Sequence, residues 1–513
     1  MEASTAALNS GDEIRPYRIH VSSKYLELTK KKLELTRLPH EVLLSKDREW
    51  EFGTPKGVVE PLIDFWLEHY TWRNREETLN TSLPQFRTAI SLPPPNPPLE
   101  NETAKPALRI HFIHLHSPHP NAVPLLLLPP FPLTNLSLST SPLFNQLTNP
   151  EHPTSTQAFH IICPSIPGLG FSDAFTKPST SQLEQTAYLF NTLMLRLGYE
   201  HYLCSSTGSG RQSPAGIDYH LARTLGEKHK ENCLAIHVVE PCISAPTATK
   251  DPLSWMKFNL AKFFHANIWG YEAADWTALR SSSLRVRNNR KGERRPLLST
   301  SSGGPAYGAI TTLGLREPTT FSYALCDSPV GMLSLICSAL QKANPEHKLT
   351  DTQIVDITQL AWLPGPEAGM RFWSAAAAAQ QVPLLETGVG QKKARIAVTA
   401  FNADGLDEES GYVCPAWISS SHELVFAQRV PGKARLTIWE RSEVLVAGIR
   451  RLARAMDALD ARFRVRPLDE VVVAPDDGVI VEEREIEEED EEEGHGMQMD
   501  VESPDTIVAV DMS

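Results

Sequence analysis

The residues whose spacing could carry chemistry centre on Cys204-Ser205-Ser206-Thr207-Gly208-Ser209-Gly210. A small-x-Ser-x-Gly run between a strand and a helix is a nucleophile-elbow pattern, which makes Ser206 and the nearby Ser209 candidates for acyl transfer. A serine hydroxyl needs a base beside it. His422 precedes the apolar run Leu424–Val430 and is the imidazole nearest in chain order to the expected base position, and Glu240, ending the run Ala235–Val239, could orient it. The same hydroxyls could instead cap the following helix. A second cluster, His111, His114, His116 and His119, invites a metal. His111 and His114 lie three apart on an alternating strand and face opposite ways, so no metal and no cofactor is expected. The basic run Arg285–Arg295 reads as a solvated loop, with contact to the acidic tail or to a nucleic acid as the alternatives.

Stepping outward, the chain holds 513 residues, 41% hydrophobic and 22% charged, enough for several units around a large core. Short apolar runs at Pro124–Leu128, His160–Cys163, Tyr202–Cys204, Ala235–Val239, Ala394–Phe401 and Leu424–Val430 alternate with helical segments, among them Ile217–Leu225. That alternation predicts an α/β architecture with a parallel sheet covered on both faces. Arg109–Leu115 adds a strand of period two. Between Pro241 and about Gln391 the alternation stops, and a stretch rich in Trp, Phe and small residues suggests an inserted helical lid. Ahead of the first strands, Tyr17–Ile90 forms a unit with Trp50, Phe52, Trp66, Tyr70 and Trp72. Its first helix would present Tyr25, Leu28 and Leu35 on one side.

The net charge of -13 is concentrated at one end: residues 476–513 hold 16 acids and one base, leaving the rest at +2. A disordered acidic tail is expected there, and the body carries no electrostatic footprint for nucleic acid. The longest apolar run, Val123–Leu133, contains four prolines and is too short for a transmembrane segment. Seven scattered cysteines and the polar start Met1-Glu2-Ala3-Ser4 argue against a secreted, disulfide-stapled protein, so the expected location is cytoplasmic.

Several motifs in order carry a family likeness. Leu35-Thr36-Arg37-Leu38-Pro39, Trp50-Glu51-Phe52-Gly53, Phe65-Trp66, Tyr70-Thr71-Trp72-Arg73 and Leu83-Pro84-Gln85-Phe86 occur first. Ser117-Pro118-His119-Pro120, Ser165-Ile166-Pro167-Gly168-Leu169-Gly170-Phe171-Ser172, Leu193–Glu200 and Tyr323–Gly331 follow. Together, over roughly Tyr17–Glu443, the chain resembles the microsomal-type epoxide hydrolases. The resemblance implies an α/β-hydrolase fold with an epoxide hydrolase-type N-terminal domain at 12–92 and core halves at 107–241 and 392–468. It also implies a cap at 242–391, with the acidic tail at 476–513 beyond it.

The reaction implied is hydrolysis of an apolar epoxide to a diol, a small apolar molecule being the partner. In that family an aspartate attacks the epoxide, cap tyrosines donate to its oxygen, and a His–acid pair activates water. On the matching positions, Gly208 stands where the aspartate is expected and Arg435, in Gly432–Glu443, where the histidine is expected. Glycine offers no nucleophile, and a guanidinium stays protonated and takes no proton from water. Asp404, in Phe401-Asn402-Ala403-Asp404, matches the acid, and Tyr307 the first cap tyrosine. Trp373 falls at the second tyrosine, and Phe131, in Pro129-Pro130-Phe131-Pro132, lies in the oxyanion loop as its one backbone donor. Phe131 and Trp373 are the candidate substrate-binding residues. The alternatives are a catalytically inactive binding or scaffold protein and a hydrolase with a rebuilt serine site. An Arg435–Asp404 ion pair in place of the catalytic pair is a further expectation.

Overall fold

A computed structural model describes residues 13–463, apart from 42–43, 47, 94–106, 153–155, 178–180, 212, 214–215, 250, 281–316, 344–348, 380–392, 403–411, 433 and 435. The acidic tail and the Arg285–Arg295 run lie outside the described residues. Nine strands form one sheet: β1 Arg15–Pro16, β2 Gln85–Ser91, β3 Ala107–Leu115, β4 Val123–Leu128, β5 Phe159–Pro164, β6 Tyr202–Ser209, β7 Cys233–Val239, β8 Arg395–Phe401 and β9 Glu423–Val430. Their spatial order is β1-β2-β3-β5-β4-β6-β7-β8-β9. From β5 onward the neighbours are parallel, as the apolar runs predict. The first three pairings are antiparallel, so the sheet is mixed and not purely parallel. β3 itself runs antiparallel to β5, and the N-terminal unit extends that antiparallel edge by adding β1 and β2 to β3.

Every residue of β7 is buried, which a strand needs apolar character on both faces to achieve. Two close approaches show how both faces are covered. Gly226, on α6 (Ile217–Lys228), lies so near the sheet that an added Cβ would be 3.0 Å from Ile236. Gly448, on the helix Ser442–Leu459, would meet His237 at 2.6 Å. Ile236 and His237 are consecutive on β7 and point to opposite faces, so these two helices cover opposite sides of the sheet.

The helices before α6 are α1 Ser23–Glu34, α2 Lys56–Glu68, α3 Trp72–Ser82, α4 Leu143–Thr148 and α5 Gln182–Arg196. After it come α7 Pro252–Phe264, α8 Pro318–Asp327, α9 Pro329–Ala343, α10 Asp351–Trp362, α11 Glu367–Ala379, α12 Thr437–Glu440 and α13, the Ser442–Leu459 helix. Helices α7 to α11 form the cap between β7 and β8. Among the described residues no single helix is long and apolar enough to cross a membrane.

The N-terminal unit touches both layers. Trp66 and Trp72 are buried. Leu33 of α1 and Val59, Leu62, Ile63 and Trp66 of α2 pack against Val330, Leu333 and Cys337 of α9 and Val355 of α10. Tyr70 Oη donates to Asp356 at 2.8 Å, Arg75 pairs with the same carboxylate at 2.8 Å, and Lys32 pairs with Asp327. The apolar face expected on α1 is displaced: Leu28 is 41% and Leu35 82% exposed, while Thr29 and Leu33 are buried. Leu35 caps the helix end, past the last turn that the cap covers.

Candidate active site at the carboxyl edge of the sheet

Parallel strands end together at one edge, and in open α/β sheets that edge is where ligands bind. Leu128, the last residue of β4, pairs with Ser206 of β6, and Ser209 at the end of β6 pairs with Val239. Position 208 therefore stands beside the loop Pro129–Pro132, whose Phe131–Pro132 bond is cis. Thr207 Oγ1 ties the two segments by donating to the Leu128 carbonyl at 2.7 Å.

Gly208 is hemmed in by a carboxyl group from another element. A Cβ at 208 would lie 2.0 Å from Asp218 Oδ2 and 2.8 Å from Pro130 Cβ. Asp218 sits in the first turn of α6, is 3% exposed, and accepts from the Phe131 backbone N–H at 2.8 Å through Oδ1. Its own N–H donates to Ser213 Oγ at 3.2 Å. Burial pushes the Asp218 carboxyl up to about 7, against the opposing pull of the Phe131 N–H and Ser213. The motif reading missed Asp218. The available signal was an acid in the first turn of the helix after the elbow, a position that a helix dipole favours for many reasons besides catalysis.

The serine candidates go elsewhere. Ser206 Oγ is buried without a hydrogen-bond partner, and Ser209 Oγ donates to Glu240 Oε2 at 2.9 Å. Glu240 has φ 42, in the left-handed region, which turns the chain sharply out of β7. His422 lies just before β9, at the amino edge of the parallel strands. Ser421 Oγ lies 2.8 Å from its Nδ1, and Nε2 is 3.3 Å from Glu227 at the far end of α6. The structure thus brings Ser209 to Glu240 but neither serine to His422.

A serine–imidazole contact does exist one residue earlier: Ser205 Oγ is 3.0 Å from His237 Nδ1, and Thr399 Oγ1 is 2.9 Å from Nε2. All three are fully buried inside the sheet under α13, and burial takes the His237 imidazole down to about 4. With no access for substrate this is a core network, in which each buried polar atom finds a partner. The histidines of β3 behave likewise, His111 meeting Gln85 at 3.0 Å and His114 meeting Tyr199 at 2.9 Å.

Above the edge, an apolar cavity of about 60 Å³ lies between sheet and cap, walled by Phe131, Leu169, Met332, Leu360, Met370 and Trp373. Cap helix α11 comes close enough to the Ser165–Ser172 loop that a Cβ at Gly168 would sit 2.9 Å from Ala368 Cβ. Gly168 has φ +85, a conformation that also favours glycine. Phe131 and Trp373 are both buried and line this one space. Asp404, Tyr307 and Arg435 lie outside the described residues.

Comparison with known proteins ties these features together. The Epoxide hydrolase N terminus family matches residues 14–138, the stretch that supplies α1–α3 and β1–β4. A relative from Stigmatella aurantiaca is 28% identical over 376 residues, 71% of this chain and 70% of that one. Juvenile hormone epoxide hydrolase 1 of Ctenocephalides felis is 30% identical over 225 residues, 43% of each chain. This chain carries an epoxide hydrolase N-terminal segment and is similar over most of its length to epoxide hydrolases. The fold agrees: the crystal structure of juvenile hormone epoxide hydrolase from Bombyx mori superposes with a TM-score of 0.65 at 20% identity, covering 88% of this chain and 95% of that one. The N-terminal match covers the two edge strands and the helices seated on the cap.

Proposed function

We propose that this chain takes a small apolar epoxide into the cavity between sheet and cap and hydrolyses it to a diol. The observation that supports this reading is one apolar space between sheet and cap, lined by Phe131 of the loop after β4 and Trp373 of the cap. An enclosed apolar site selects for a ligand with little polar surface. In this proposal Tyr307 donates to the epoxide oxygen and Asp404 is the acid, while Gly208 and Arg435 replace the family's nucleophile and base.

A second reading, ligand binding without turnover, is favoured by one feature: Gly208 contributes no side chain at all. The two readings separate in one experiment. The full chain is incubated with a panel of terminal epoxides, styrene oxide among them, with diol detection and melting temperature followed in parallel. A raised melting temperature together with diol supports hydrolysis, because a ligand that binds only the folded state stabilises it by mass action. A raised melting temperature without diol moves the protein to the second reading, and neither response overturns both.

A further inference from the structure

The carboxyl group missing from position 208 has a replacement within the same few ångströms. The space that a side chain at 208 would enter is held by Asp218 Oδ2, 2.0 Å from the Cβ position. The other oxygen, Oδ1, takes the Phe131 N–H at 2.8 Å, and prolines at 129, 130 and 132 leave that tetrad no second backbone donor. Ser213 fixes the backbone of Asp218 from the other side. Phe131 also forms part of the cavity wall, so the residue whose N–H holds this carboxyl borders the space a ligand would enter, while Asp218 lies buried behind it. The carboxyl oxygen thus stands against position 208 from a helix instead of from β6, and two further contacts hold Asp218 in that place.

We propose that Asp218 is the nucleophilic carboxylate of this site, relocated from β6 to the first turn of α6; this rests on the epoxide reading above. In the ionised form, Oδ2 attacks a ring carbon of the epoxide. A C–O ester bond forms, the ring C–O bond breaks, and its electron pair stays on the ring oxygen, which takes a proton from water. Water then adds to the ester carbonyl, the acyl C–O bond breaks, and the diol leaves with the aspartate restored. With arginine at 435, the second step lacks a neutral base while the first needs none. The ester should therefore outlast the diol-forming step and accumulate.

The test is mass spectrometry of the full chain after exposure to styrene oxide, followed by proteolysis and peptide mapping. The expected result is one epoxide equivalent per chain, carried on Asp218 and removed by hydroxylamine. D218N should lose the label entirely, and D218E, which keeps a carboxylate one carbon longer, should be labelled at that position at least tenfold more slowly. Label on another residue, equal labelling of D218N, or a wild-type chain stabilised by the epoxide yet never labelled would overturn the assignment. Diol formed by D218N at the wild-type rate would overturn it too, while leaving the epoxide reading intact. Only a wild-type chain with no label, no diol and no stabilisation would remove both.

Discussion

Position 208 and Asp218 form a packing pair as much as a chemical one. A methyl group at 208 would overlap a carboxyl oxygen and Pro130, so G208A should destabilise the fold by about 1–3 kcal/mol, the usual range for overpacking. The G208A/D218G double variant should lose less than the sum of the two single changes, since one side chain vacates the room the other needs. Chemical denaturation of the three variants checks both statements. The same overlap means that G208D, even with R435H, cannot restore the family's arrangement until Asp218 is removed. The raised Asp218 carboxyl also gives a sign for pH dependence. Its folded value, about 7, lies above the unfolded one, so its contribution is fully present below about pH 3.8 and is lost as pH rises to about 7. Relative to D218N, the wild type should lose up to about 1.4 kcal/mol per pH unit across that window, read from urea midpoints at matched pH. The strand and the helix on either side of the elbow were legible in the sequence, but β6 runs on to Ser209 through residues read as a turn. The occupant was not legible, because the distance between residues 208 and 218 across a turn depends on how Ser213 and Gly216 fold the intervening chain.

Among elements, the cap is anchored to the last strand by a buried charge cluster. Arg429 of β9 donates to Asp275 at 2.8 and 2.7 Å, and Tyr412 Oη donates to the same carboxylate at 2.5 Å. Asp275 is fully buried. Burial works against the Arg429 charge, but the hydrogen bonds and charge of Asp275 more than offset it and hold the guanidinium protonated. Removing one partner leaves an uncompensated buried charge, so D275N or R429M should each cost about 3–5 kcal/mol in a denaturation experiment. The double variant should recover part of that loss. Nothing in the sequence pointed to this pair, since the residues lie 154 apart and neither belongs to a motif. The strands were another matter. Runs such as Pro124–Leu128 and Ala235–Val239 fall within a residue or two of β4 and β7, because a strand buried on both faces has to be continuously apolar. The antiparallel edge was missed because β2 mixes buried polar residues, Gln85 and Thr88, with half-buried Phe86 and Ala89, so it shows no apolar run, and strand direction leaves no trace in the periodicity of β3.

For the molecule as a whole, the N-terminal unit clasps the cap from the front of the chain. If Leu33 is the seat of that clasp, L33A should cost about 2–5 kcal/mol and L35A less than about 0.5, with urea midpoints separating the two. Equal effects would mean that the periodic face Leu28–Leu35, and not the observed one, carries the contact. The clasp joins residues far apart in the chain: Lys32 and Asp327 are 295 residues apart, and Tyr70 and Asp356 are 286 apart. Closing a loop of that length costs about 2 kcal/mol more than closing one a tenth as long, a modest sum at equilibrium. In time it is large. At ribosomal speeds of about 5–20 residues per second, the α1 and α2 surface waits roughly 15–60 s for the residues that will cover it. During that interval Leu33, Val59, Leu62 and Trp66 have no cap to rest on, so the nascent chain depends on the pace of its own synthesis, and on chaperones, until α9 and α10 emerge.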